Sequence, residues 1–452
     1  MLRTPERPWT LALSLLASVA CRGGASAESS EAEDAASSAD TASGRVDDGE
    51  SVDTASTGSG DATTDQPVDP EPSRSLRFVP IETDEALVRA TDLKFLPGSS
   101  ELLVLSKDGD VGHYVLDETG AHILGRFVVP NVYPASDCGL ISAAIDPDFV
   151  DNRLIYVGLC LSRHDSAIVR LELVDDYEAI PDTMAEVMIV GHRDASQPWH
   201  NVGAMGFDPA GNLWALFGDK TVPSSSQDLG SPLGSIVRVV PDRSPDGSGY
   251  APAADNPWVG DAERSWDVWA YGLRSPWKGV LDRQGRFWVG DVGSKQFEEI
   301  NLVTHAGQNL AWPVHEGLCD GDDCSAFVDP VAVWPHAPHP YIEDDEDATA
   351  STSRVAWVGI AYEDRGNDRY EGLLTDKVLF GDSCVGYVRA LTADAGGRIV
   401  SDQHLGHLVG PTGWDQAPDG YVYVVTYGGC GSGSIDNDDP PAAVIHRVEP
   451  GA

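Results

Sequence analysis

The chain has 452 residues, 41% of them hydrophobic, enough to bury a large core as one all-β domain or as two to three smaller domains. Its 72 acidic side chains outweigh 30 basic ones, for a formal net charge of −42. Such a surface repels phosphate backbones and anionic headgroups, which excludes nucleic acid and an anionic lipid surface as partners.

In chain order, residues 1–21 read as an export signal: Arg3 and Arg7, the apolar run Trp9–Ala20, then Cys21. The run is too short to span a bilayer. "SVAC" resembles a bacterial lipobox, with Cys21 as the lipidated residue and Ser18 where an aliphatic side chain is usual. Cleavage after Ala25-Ser26-Ala27 is the competing reading. Residues 22–75 are mostly Ala, Ser, Asp, Glu, Thr and Gly with no aromatic side chain, a composition that cannot bury enough surface to fold. A tether of that kind favours the anchored reading: an outer-membrane or cell-surface lipoprotein that touches the membrane only through its lipid.

From residue 76 to 450 one unit recurs. "KFLPGSSELLVLSKDGDV", "AIDPDFVDNRLIYVG", "GFDPAGNLWALFG", "VLDRQGRFWVG", the degenerate "KVLFGDSCVGYVRAL" and "DQAPDGYVYVVTYG" each join an apolar strand to a turn and a second strand. In the third, Asp208-Pro209-Ala210-Gly211-Asn212 carries a Pro pre-set for the turn and a Gly free to take positive φ. Irregularly spaced β units with no amphipathic helix between them predict radial repetition, a six-bladed β-propeller. Insertions such as "EDDED" at 343–347 read as solvated loops.

Six cysteines beyond Cys21 in an oxidising compartment predict three disulfides. Cys138 and Cys160 flank one hairpin, and Cys319 and Cys324 close the loop "CDGDDC". Cys384 is then left with Cys430. No Cys/His spacing suits zinc; "HAPH", with His336 and His339, is broken by proline.

His200 and Asp219 flank the Val202–Gly218 hairpin and emerge at the same open end. A carboxylate beside an imidazole fixes its tautomer and raises its basicity, as a general base requires. If blades are built alike, Arg274 and Asp291, which flank the next hairpin, share that rim. A base, its orienting acid and a cation around one pocket form a catalytic constellation.

Six ordered segments carry a resemblance: "HNVGAMGFDPAGNLWALFGD", "QDLGSPLGSIVRVVPD", "DNPWVGD", "YGLRSPWKGVLDRQGRFWVGDVG", "EEINLV" and "NLAWPVHEG". Together they resemble the signature segments of the glucose/sorbosone dehydrogenase family, six-bladed propellers of which many use pyrroloquinoline quinone (PQQ) and calcium. The resemblance implies a sugar dehydrogenase, with a small-molecule sugar as substrate and an electron acceptor outside the cytoplasm. It places His200 as the base for the sugar hydroxyl, Asp219 as its partner and Arg274 at the reactive edge of the quinone. Ser275 falls in the cofactor-binding segment where the family usually has Asn, and Gln227 and Asp228 fall in the "QDL" segment. The backbone carbonyls of Gly293 and Ser294 and the Glu299 carboxylate match calcium ligands, oxygen donors of the kind that ion prefers. Two departures stand out. The stretch "GHLVGPTGWDQAPDG" lacks the arginine pair that holds the quinone's carboxylates, and Glu363 is the nearest match to a usual lysine. The alternative implied by the same resemblance is a carbohydrate- or protein-binding propeller without redox chemistry, like that of Hedgehog-interacting protein.

Overall fold

A computed structural model describes residues 74–174, 184–245, 247–321, 323–336, 354–430 and 442–451. The local logic of the chain is visible at Asp208. Its Oδ1 accepts the N–H groups of Ala210 and Asn212, both at 2.9 Å, while Gly211 closes the turn at φ 80°. Asp282 repeats the device in the next blade, accepting from Gln284 and Arg286 at 2.9 and 3.0 Å. A carboxylate that satisfies turn amides this way makes the hairpin locally favourable before any packing forms.

Six antiparallel sheets result. Blade 1 runs Ala90–Phe95, Glu101–Ser106, Asp110–Leu116 and Ala121–Val128; blade 2 runs Leu140–Ile145, Leu154–Cys160, Asp165–Glu172 and Ala185–Gly191. Blade 3 holds Val202–Phe207, Leu213–Phe217, Ser235–Pro241 and Tyr250–Pro252, with Val268–Tyr271 also paired to its third strand. Blade 4 holds Pro276–Leu281, Phe287–Asp291, Phe297–Val303 and Ala332–Pro335; blade 5 holds Ala356–Ala361, Val378–Asp382, Tyr387–Ala393 and Ile399–His407. Blade 6 takes Pro411–Gln416, Val422–Thr426 and Ile445–Pro450 from the end of the chain and its outer strand, Leu76–Pro80, from the beginning. Leu76 faces Pro450 and Phe78 faces Val448 across that seam.

The innermost strands converge on a central axis, and glycine lets them. A Cβ on Gly203 would meet the Pro276 carbonyl of the next blade at 2.2 Å, and one on Gly413 the Leu93 amide at 2.5 Å. Apolar cores fill the wedges between blades: Leu105, Phe149 and Val157 between blades 1 and 2, and Trp357 stacked on Trp414 at 5.0 Å between blades 5 and 6.

The all-β six-bladed architecture matches the reading of the repeats, with one correction. "KVLFGDSCVGYVRAL" supplies the second and third strands of blade 5, not its first hairpin. The first strand, Ala356–Ala361, lies upstream of an insertion over residues 362–377, which hid the hairpin in the sequence. The disulfides are Cys138–Cys160, Cys319–Cys324 and Cys384–Cys430, as expected. Cys21, the 22–73 stretch, "EDDED" and His339 lie outside the described residues.

Candidate functional site

Gly218 begins the site. Any Cβ there would strike the backbone of His200, with its carbonyl oxygen 2.6 Å away, so glycine lets the chain before blade 3 fold over the end of the second strand. His200 itself sits at φ 54°, the left-handed region that non-glycine residues enter only when their surroundings over-determine them. What holds it is Asp219: His200 Nδ1 lies 2.6 Å from Asp219 Oδ1. Asp219 is fully buried, and its carboxylate also accepts the Thr221 N–H at 2.7 Å and the Trp312 indole N–H at 2.9 Å. With the proton on Nδ1 directed at the carboxylate, Nε2 is the ring nitrogen left to accept a proton.

The next blade completes the rim. Asp291 accepts the backbone N–H of Arg274 at 2.8 Å and of Ser275 at 2.6 Å, and the Arg274 carbonyl in turn accepts the Asp219 N–H at 2.8 Å. Burial pushes the Asp291 carboxyl up to about 7, against the pull of those two N–H groups. The four residues expected on one rim are therefore linked to one another. Gln227 and Asp228 have structural partners: the Gln227 amide pairs with that of Asn309 and donates to the Trp312 carbonyl at 2.7 Å, and Asp228 accepts the Gly230 N–H within a turn.

The Gly293 and Ser294 segment holds a different cation from the one the resemblance implies. Arg274 Nη1 donates to the carbonyls of Val292 and Gly293 at 2.7 and 2.6 Å, and its guanidinium lies over the Trp312 ring. The Ser294 N–H goes to Glu316. Glu299 is buried, accepting from the Gly317 N–H and the Asn301 amide, and burial together with the Asp291 charge pushes its carboxyl up to about 8. Among the described residues no three His, Cys, Asp or Glu side chains form a group that could hold a metal ion. A divalent ion at Gly293 would sit against a guanidinium of like charge. This donor set does not fit calcium.

His200, Asn201, Ser275, Trp277 and Tyr427 open onto one cavity at this mouth of the channel. Two cations there escape a search confined to the family's arginine positions. Lys107, 3% exposed, lines the cavity and donates to the Ser136 carbonyl. Lys220, 1% exposed, donates to Asn201 Oδ1 at 2.5 Å, and burial lowers its amine to about 8 against the opposing charge of Asp165. Lys107 directly follows the second strand of blade 1, as Asp219 follows that of blade 3 after one glycine, so the rim rule applied to every blade would have found it. Glu363 lines a second cavity at the opposite end of the channel and takes no part in this site.

Among curated proteins, aldose sugar dehydrogenase YliI of Escherichia coli K12 is 24% identical over 350 residues, 74% of this chain and 86% of that protein. The HIPL1 protein of Arabidopsis thaliana is 34% identical over 133 residues, 26% of this chain and 19% of that protein. Among solved structures, the PQQ-bound aldose sugar dehydrogenase of Streptomyces coelicolor aligns with a TM-score of 0.63 at 22% identity, over 84% of this chain and 100% of that one. The apo form of the soluble E. coli aldose sugar dehydrogenase gives 0.62 at 19% identity, over 84% and 100%. At these identities the two structures speak to the fold alone. The glucose/sorbosone dehydrogenase profile matches residues 87–432, most of the chain, which therefore belongs to that family.

Proposed function

We propose that the protein is a quinone-dependent sugar dehydrogenase that oxidises a hydroxyl of an aldose. The observation that carries this reading is the His200–Asp219 pair, 2.6 Å apart and opening onto the cavity. A curated relative that is an aldose sugar dehydrogenase supports it.

The cavity suits PQQ, a flat, anionic heterocycle, in the chemistry of its walls. Trp277 and Tyr427 offer aromatic faces, Lys107 a cation, and Ser275 and Asn201 polar contacts. When bound, PQQ supplies the two-electron acceptor for the hydride leaving the sugar carbon. This chain's part is the proton. His200 Nε2 takes it from the sugar hydroxyl, and Asp219 stabilises the imidazolium that forms. Trp312 and the Thr221 amide keep the Asp219 carboxylate oriented throughout. Export and a lipid anchor at Cys21 belong to the same proposal, with electrons passing to an acceptor outside the cytoplasm; membrane fractionation of Cys21→Ser tests the anchor.

The experiment is a titration of PQQ into the purified protein, followed by Trp fluorescence, then dye reduction across a panel of aldoses. His200→Ala is expected to lower turnover by about 10²–10⁴ while PQQ still binds. The second reading, a binding propeller without redox chemistry, draws on the absence of Arg and Lys from residues 406–420. Folded protein that takes up no PQQ and turns over no sugar would establish it instead.

A further inference from the structure

One short segment touches both halves of the site. At its start, the Trp312 indole N–H donates to Asp219 Oδ2 at 2.9 Å, and its ring lies under the Arg274 guanidinium at 5.6 Å. At its end, Glu316 Oε1 accepts four consecutive backbone N–H groups, from Ser294, Lys295, Gln296 and Phe297, at 2.7, 2.9, 3.0 and 3.2 Å. That loop carries the Gly293 carbonyl on which Arg274 rests. The contacts close a circuit: His200 to Asp219, Asp219 to Trp312, along the chain to Glu316, across to the 293–297 loop, and back through Gly293 to Arg274, whose carbonyl holds the Asp219 amide.

We infer that Trp312 and Glu316 are positioning residues that lock the His200–Asp219 pair and the Arg274 loop into one register, so that His200 keeps its place at the cavity. A nest of successive amides ordinarily recruits an anion from solution; here the chain supplies its own. Burial raises the Glu316 carboxyl, but the four N–H groups outweigh it and hold the group below the usual carboxylate range. The anionic form is thus the one that grips the loop. Gln227 anchors the far side by holding the Trp312 carbonyl. Neither positioning residue lines the cavity, so their effect passes through Asp219 and Arg274.

The activity arm rests on the dehydrogenase reading, and the exchange arm is independent of it. Hydrogen exchange on the full-length chain, without added quinone, is followed in peptides covering 293–298, 219–222 and the blade 2 strand Leu154–Cys160. In Glu316→Ala, exchange at 293–298 is expected to accelerate about tenfold or more, as for loss of a charged hydrogen bond. Exchange at 219–222 should rise with it, while Leu154–Cys160 keeps its protection. Glu316→Gln, which keeps the acceptor oxygen without the charge, is expected to fall between, and it decides the matter if the alanine variant does not fold. With PQQ and sugar, turnover should fall about tenfold in Glu316→Ala with KM nearly unchanged, and recover partly in Glu316→Gln. Unchanged protection at 293–298 overturns the inference, as does a freed loop that leaves 219–222 and turnover as in the wild type. A wild-type protein with no turnover sinks the dehydrogenase reading and leaves the exchange result to judge the clasp.

Discussion

Lys107 and Glu299 are the single residues whose surroundings make the sharpest demands. Lys107 is a buried amine among the groups lining the mouth. If it holds a quinone carboxylate, Lys107→Ala should weaken PQQ binding by about 10–100-fold, the weight of one charge-assisted hydrogen bond, in a fluorescence titration. Glu299 poses the opposite problem. Its carboxyl is pushed up to about 8 by burial beside Asp291, itself at about 7. The native state therefore keeps protons that the unfolded chain gives up near pH 4–5, so stability falls as pH rises from there to about 8. Glu299→Gln removes the penalty. Its amide can keep the Gly317 contact and, once the Asn301 amide flips to present Oδ1 in place of Nδ2, donate to that oxygen, which is now buried without a partner. Melting at pH 8 should rise by about 1–2 °C for each kcal/mol relieved in a domain of this size, and the gain should shrink towards pH 5. A calcium ligand at this position would give a loss at both pH values.

At the scale of elements, the insertion over residues 362–377 shows how a loop can finish a neighbouring sheet. The Tyr370 hydroxyl donates to the Val448 carbonyl at 2.9 Å and accepts the Val422 N–H at 2.8 Å, bridging two strands of blade 6 from blade 5. Tyr370→Phe leaves both backbone groups buried without that partner and should cost about 2–4 kcal/mol, read by denaturant unfolding at constant m-value. The same insertion marks the limit of what the sequence reveals. Hairpins with an Asp turn between adjacent strands were legible because their pattern is local, and so was the His200–Asp219 pair, which such a hairpin brings to one end. Blade 5 was legible only in its second and third strands because its first pairing spans the insertion. Trp312 and Glu316 fall in the segment "NLAWPVHEG", but the groups they hold lie 93 and 19 to 22 positions away, so the sequence marked the segment without showing its contacts. Arg274 was placed on the correct rim, but its grip on Gly293 depends on how a loop folds back, which spacing alone does not determine.

Across the whole molecule, the ring is held shut at one seam, where Leu76–Pro80 pairs with Ile445–Pro450. Every other blade is built from consecutive strands. A truncation that removes residues 1–81 should leave Ile445–Pro450 as a bare edge, an open template for pairing with another chain. Its expected signature is a lower melting temperature together with concentration-dependent association in light scattering, both reversed when a peptide covering residues 74–81 is added back.

That seam also imposes an order in time. Arg77 and Glu449, ion-paired across it, lie 372 residues apart. At the roughly 5–20 residues per second of synthesis, the early strand waits on the order of 20–75 s before its partner exists. Blades 1 to 5 can each assemble as they emerge, because each finds its own strands in sequence. The early strand meanwhile carries Phe78, which packs at last against Trp414, with nothing beside it. The seam is thus a pairing that must wait for the end of the chain, and a holdase or a competing edge would find its opening in that interval.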